Sequence, residues 1–190
     1  MLLRRFLHQA HVFGCAVQEI LEEKYLRDIS PYALSVAQFH LLKLIALEGE
    51  HQVGEVADFL GVSSPAASKS IDKLERLGLV TRRASAGDRR VTLLLVTAQG
   101  RRLVERYERA KAQRLGPVLE SCGEAEILQL TDLLERFSNR LFASESAEVG
   151  FCLRCAAYGD ASCALRAGSC PYAGQRNGDD PATPTNQEQP

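Results

Sequence analysis

Apolar residues recur at helical spacing from the start of the chain. Leu3, Phe6, Leu7, Ala10, Phe13, Val17, Ile20 and Leu21 share one helix face and predict a single helix over about 3–27. The stretch DISPY, 28 to 32, interrupts it with a Ser-Pro pair. A second helix is predicted over LSVAQFHLLKLIAL, stopping at Glu48-Gly49. Its apolar face is nearly continuous, the pattern of a helix buried on several sides.

The next stretch, VGEVADFLGVSSPAASKSIDKLERLGLV, changes character. A short helix carries Val56, Ala57 and Leu60 inward, and Gly61 follows where a left-handed cap costs glycine little. Ser64 before Pro65 reads as a helix start, with the hydroxyl capping free amides and proline tolerated in the first turn. In the second helix Ala67, Ile71 and Leu74 form the buried stripe. Ser64, Ala66, Ser68, Lys69, Asp72, Lys73 and Arg76 occupy the other faces, and Gly78 ends the helix. Two helices around a tight turn of small residues, the second with a short polar and basic outer face, form a helix-turn-helix pattern. A tight hairpin in a helical bundle would share the geometry. The small residues at the start of the second helix favour the DNA-binding reading, because a major groove requires close approach.

LVTRR and VTLLLVT then read as two strands joined by ASAGDRR, with glycine at the turn. A hairpin directly after a recognition helix is a wing. Asp88, between a glycine and two arginines, is placed to hold a guanidinium toward a phosphate or a minor groove. A helix follows over AQGRRLVERYERAKAQRLGPVLES, with a bend or break expected at Gly116-Pro117. The last periodic stretch, GEAEILQLTDLLERFSNRLFAS, lines one face with Ile127, Leu130, Leu134, Phe137 and Leu141.

Charge sharpens this reading. The 190-residue chain has a formal net charge of −1, yet Gly61 to Arg106 holds ten basic against four acidic residues. A basic centre in a slightly acidic protein is the electrostatic footprint of a nucleic-acid-binding face. At 45% hydrophobic and 25% charged residues the chain has the composition of a soluble globular protein. No apolar run approaches the ~20 residues of a membrane helix. The N-terminal MLLRRFLHQAHVFGCA carries His8, Gln9 and His11 where a signal peptide needs an apolar core, so a cytoplasmic location is expected. No catalytic carboxylate pair, nucleophile triad or phosphate-binding glycine loop is apparent, which points to recognition rather than catalysis.

The ordered series QFHLLKLIAL, VGEVADFLGVSSPAASKSIDKLERLGLVTRR, GDRRVTLLLVTAQGRRL and GEAEILQLTDLLERF resembles the MarR family of bacterial winged-helix regulators over residues ~3–143. The most specific element is the wing run: Asp-Arg-Arg, alternating apolar residues, then Thr-x-x-Gly. The resemblance implies a mainly α fold with a small β-hairpin wing, comprising a winged helix-turn-helix domain and a helical dimerisation region. Residues 1–145 would form this domain, with dimerisation helices at about 3–27 and 97–143 and a DNA-binding lobe at about 51–96. It implies a homodimer on double-stranded DNA, with intertwined first and last helices and no role at a membrane. By position, Ser64, Pro65, Ala66, Ser68, Lys69 and Lys73 would meet bases and phosphates, Arg89 and Arg90 would be wing contacts, and Asp88 would support one of them. Pro65 and Ala66 stand where polar base-reading side chains are common, so shape and phosphate contacts would carry more of the specificity. Many relatives bind small aromatic acids between the two lobes, but no residue pattern here marks such an effector. Others sense oxidants through a cysteine in the first helix, where Cys15 lies, although a lone cysteine on an apolar helix is usually packing. Cys122, at a helix boundary, has no stronger case.

Beyond the resemblance, Cys152, Cys155, Cys163 and Cys170 follow a C-x2-C-x7-C-x6-C spacing without a histidine among them. In a reducing compartment such a cluster points to a metal site over residues 150–173. Structural zinc generally uses two close-spaced pairs, and only Cys152–Cys155 makes one. An iron–sulfur cluster accepts looser spacing, and Cys170-Pro171 is a step found in ferredoxin-type sites, so the cluster ranks first and Zn2+ second. Residues 174–190 are polar and expected to be disordered. The expected function is a dimeric regulator switched or stabilised by this site. The rival reading is an iron–sulfur electron-transfer or enzyme-associated protein that uses the winged helix as a scaffold.

Overall fold

The N-terminal repeat folds as one rod made of three stretches. These are α1 (Leu2–Ala16), a π-helical stretch (Val17–Lys24) and α2 (Tyr25–Ile29). The computed structural model describes residues 1–46, 51–53, 56–57, 62–85 and 91–144. The π stretch widens the turn and shifts the phase of the side chains along the rod. Upstream, α1 buries no residue, whereas downstream Tyr25 and Leu26 enter the core. Ser30 ends the rod in an extended conformation, as a residue before proline should, and its hydroxyl bonds the backbone of Tyr32.

α3 (Val36–Ala46) starts with a capping box: Ser35 Oγ accepts from the Gln38 amide and Gln38 Oε1 from the Ser35 amide. Its Phe39, Leu41, Leu42, Leu44 and Ile45 are all buried, as the unbroken apolar run predicts. Residues 53, 56 and 57 are helical, with Val56 and Ala57 buried as expected; Leu60 and Gly61 lie outside the described residues. α4 (Ser64–Arg76) follows, with β2 (Val80–Ala84) and β3 (Thr92–Val96) pairing as an antiparallel hairpin. The sequence predicts only these two strands. A two-residue strand, β1 (His51–Gln52), adds to the far side of β3 and completes a sheet ordered β1-β3-β2. Two residues are too few to display alternation.

α5 (Ala98–Cys122) and α6 (Glu124–Ser144) complete the chain's described part. The break expected as one outcome at Gly116-Pro117 does not occur, since Pro117 lies inside a continuous α5. The residue before a proline is restricted partly by its Cβ, and Gly116 has none. At the other end of α5, the Thr-x-x-Gly motif acquires a physical meaning. Thr97 Oγ1 accepts from the Gly100 amide at 3.1 Å, capping the helix, and donates to the Gly78 carbonyl at 2.7 Å. A Cβ at Gly100 would stand 2.2 Å from the Leu79 carbonyl oxygen, so only glycine fits without a backbone shift. The end of α4 and the start of α5 are thereby stitched together beneath the hairpin.

A polar cluster joins the rod to α3 and α5. The Tyr107 hydroxyl donates to the Leu21 carbonyl at 2.6 Å, and its ring packs on Phe39 with centroids 4.6 Å apart. Burial pushes the Tyr107 phenol well above its ordinary range. Glu22 lies 3.6 Å from His40, and burial raises its carboxyl. Burial also works to raise Glu108, but hydrogen bonds and charge from Lys43 and Lys111 hold it below the usual carboxylate range. These contacts hold the rod, α3 and α5 together.

Candidate nucleic-acid interface

α4 presents the residues that the helix-turn-helix pattern picks out. Ala67, Ile71 and Leu74 are buried, as the stripe predicts. Ser64, Pro65, Ala66 and Lys69 are exposed in the first two turns, and Ser68 is half-buried beside them. The cap, however, lies one residue earlier than expected. Ser63 occupies the cap position, its carbonyl accepting from the Ala66 and Ala67 amides at 2.9 and 3.0 Å. No side-chain cap bond forms, and Ser64 is the first helical residue. Two adjacent serines before one proline leave the register open in sequence, and proline is accepted at either of the first two positions. The shift leaves the Ser64 hydroxyl exposed at the helix tip.

Lys73 differs from Lys69. Its ammonium donates to the Ala33 carbonyl at 2.5 Å and to Gln38 Oε1 at 2.9 Å, so it ties α4 to the 30–35 loop. That engagement sets Lys73 apart from the free cation expected of a DNA contact. The same loop is held from the other side by Gln99, which donates to the Tyr32 hydroxyl. Pockets of about 870 and 400 Å³ flank it; Tyr32 lines both, and Arg102, Arg106 and Arg109 line the smaller.

The hairpin is anchored to α4 by a residue the sequence reading counted only as charge. The Arg82 guanidinium, from β2, reaches Asp72 Oδ1 at 2.6 Å and pairs with Glu75 Oε2; the Arg82 amide also donates to Glu75 Oε1 at 3.3 Å. The hydrogen bond to Asp72 is the largest cause raising the Arg82 pKa above its ordinary value. The signal was present: carboxylates at 72 and 75 share one helix face, and arginine follows the Gly78 turn. Sequence could not show which of Arg82 and Arg83 turns back. At the outer end of the hairpin the Ser85 amide donates to the Val91 carbonyl at 2.9 Å, closing the strands. Asp88, Arg89 and Arg90 belong to the connection and lie outside the described residues, as do Cys152, Cys155, Cys163, Cys170 and the tail.

Cys15 is exposed, with Sγ 3.5 Å from His11 Nε2, so it does not serve as packing within its own chain. Cys122 is the last residue of α5 and half-buried. Among the described residues no helix is long and apolar enough to cross a membrane.

This arrangement of α3, α4 and a three-stranded sheet has counterparts among known proteins. Residues 34–91, which run from α3 through the reader to the wing, match the family model described as MarR family. The chain carries a MarR family domain. The HTH-type transcriptional regulator MhqR of Bacillus subtilis is 27% identical over 110 residues, covering 58% of this chain and 76% of that protein. FarR of Neisseria gonorrhoeae, another HTH-type transcriptional regulator, is 28% identical over 62% of this chain and 80% of its own length. The crystal structure of RV1404 from Mycobacterium tuberculosis superposes with a TM-score of 0.61 at 20% identity, covering 72% of this chain and 92% of that one. Wild-type MarR from E. coli, in its apo form, superposes at 0.55 with 24% identity, over 68% of this chain and 94% of its own. These superpositions show the fold: mainly helical, with a small antiparallel sheet forming a winged helix. The MarR family match ends at residue 91, before β3 and α5 begin, so the cysteine segment lies beyond it.

Proposed function

We propose that the protein is a homodimeric, sequence-specific DNA-binding transcriptional regulator. α4 would enter the major groove and the hairpin would lie along the adjacent backbone. The carrying observation is the first two turns of α4, where Ser64, Pro65, Ala66 and Lys69 are exposed and combine short side chains with a cation beside an anchored wing. Short side chains permit the backbone approach that a groove of about 12 Å width demands. Support for the dimer comes from α1 and α6, whose apolar faces stay largely exposed among the described residues. The names of the similar proteins support the regulatory role.

We extend the reading to the four cysteines. Four thiolates suit an iron–sulfur cluster or Zn2+, and either would tie together the segment from Cys152 to Cys170. Such a site, beginning a few residues after α6, would act on the spacing of the two reader lobes. A small-molecule effector would bear most directly on α4 at the 30–35 loop, which Lys73 ties to the reader.

Titrating mixed-sequence duplex DNA at several salt concentrations tests the reader assignment. Wild-type affinity should fall steeply with salt, and Lys69→Glu should lose about tenfold or more with a shallower slope, since a phosphate contact and its released counterions are gone. Superimposable curves for Lys69→Glu and wild type would remove α4 from the interface.

A further inference from the structure

We infer that Arg82 is a positioning residue: held by Asp72 and Glu75, it fixes the wing against the reader helix and raises DNA affinity without touching DNA. The inference rests on the DNA-binding reading above and goes a step further, by assigning a role to three residues outside the contact surface.

The geometry is a three-point clamp between two elements. Asp72 and Glu75 stand three residues apart on α4, so their carboxylates lie on one face. Arg82 stands opposite Leu94 in the β2–β3 ladder, so its backbone position is set by the sheet. One terminal nitrogen of its guanidinium meets Asp72 and the other meets Glu75, while the second oxygen of Glu75 takes the Arg82 amide. A planar fork meeting two carboxylates restricts rotation as well as distance, which a lysine ammonium would not do. The chain between Arg76 and Val80 already limits how far wing and reader can separate. The clamp removes the remaining freedom, which is the angle between them.

Charge argues against a direct contact. To reach a phosphate, the guanidinium would have to leave two carboxylates unpaired beside a polyanion. As held, the group of three carries a net single negative charge, which would repel DNA if charge were its contribution. Its value to binding is therefore preorganisation: the wing and reader meet the duplex with their relative angle already set, and less ordering cost falls on association.

Four proteins on one mixed-sequence duplex, each titrated across a salt series, test this: wild type, Arg82→Gln, Arg82→Lys, and Asp72→Asn with Glu75→Gln. The carboxylate side chains are 54% and 36% exposed, so their isosteric amides should leave the fold intact, which far-UV circular dichroism checks. We expect Arg82→Gln to bind about tenfold more weakly with the wild-type salt slope, and Arg82→Lys to recover part of the loss. The decisive variant is the double amide. It removes two negative charges, so simple attraction predicts tighter binding, whereas the clamp predicts weaker binding. Equal or tighter binding by the double amide overturns the inference, as does a salt slope reduced by about one in Arg82→Gln, which would mark a lost phosphate contact. Absence of any salt-dependent duplex binding by the wild type would overturn the DNA-binding reading and this inference with it.

Discussion

Leu134→Glu should split the proposed dimer into single chains and abolish tight DNA binding. α1 buries no residue, and every α6 residue of described burial is exposed or half-buried. The only ring contact between the two is Phe6 with Phe137, centroids 4.9 Å apart, among the described residues. Yet Leu130, Leu134, Phe137 and Leu141 repeat along one face of α6, and Leu3, Phe6, Leu7 and Phe13 along α1. Helices of 15 and 21 residues with so little burial are marginal alone in water. A second copy of the same two faces would cover both. Placing a carboxylate in that seam leaves a buried, unpaired charge, costing about 3–5 kcal/mol, and the two-fold axis repeats it. Light scattering would read the loss as one chain per particle. A Leu134→Glu protein that remained dimeric would move the interface elsewhere. DNA binding should fall in parallel, because a single reader engages only one half-site.

Replacing both Cys152 and Cys155 with serine should remove all bound metal while leaving a helical dimer. The segment follows α6 in the sequence and is outside the family match, so the winged helix is expected to fold without it. Protein purified without air should carry iron and sulfide and be brown; one zinc per chain in colourless protein would select the second candidate. Serine hydroxyls bind either poorly, and losing two of four ligands is expected to empty the site. DNA affinity should then change by ~1–3 kcal/mol, the usual scale of coupling between sites, in the same direction as chelation of the wild type. Metal content unaltered by the double substitution would dismiss the site. Superimposable DNA-binding curves for holo-protein, apo-protein and variant would leave the metal without a regulatory role.

The parts of the fold legible in sequence are those where burial imposes a period. The continuous apolar run of α3 announced a helix enclosed on several sides, and the Ala67, Ile71, Leu74 stripe announced the reader's inner face. What escaped was set by geometry without a period. β1 is too short to alternate, the π stretch leaves no compositional mark, and Ser63 and Ser64 offered two equivalent caps. A proline ring ordinarily conflicts with a continuing helix, so Gly116-Pro117 suggests a bend or break; α5 nevertheless runs on through Pro117, and the glycine before it eases the conflict. Side-chain partnerships were the least legible part. Lys69 and Lys73 lie four residues apart and look alike in a charge count, yet Lys73 bonds Ala33 and Gln38, more than thirty positions away. Arg82, likewise, contributed to the basic total that suggested DNA, although Asp72 and Glu75 hold it.

The central claim is that two copies of α4 and its wing read one duplex as a symmetric pair. Enriching a random-sequence duplex pool on the full-length protein, then footprinting the enriched fragment, tests it most directly. The account predicts an inverted repeat whose half-sites are protected about one helical turn apart, ~10–10.5 base pairs centre to centre. No enrichment over the starting pool, or protection of a single unpaired half-site, would contradict it.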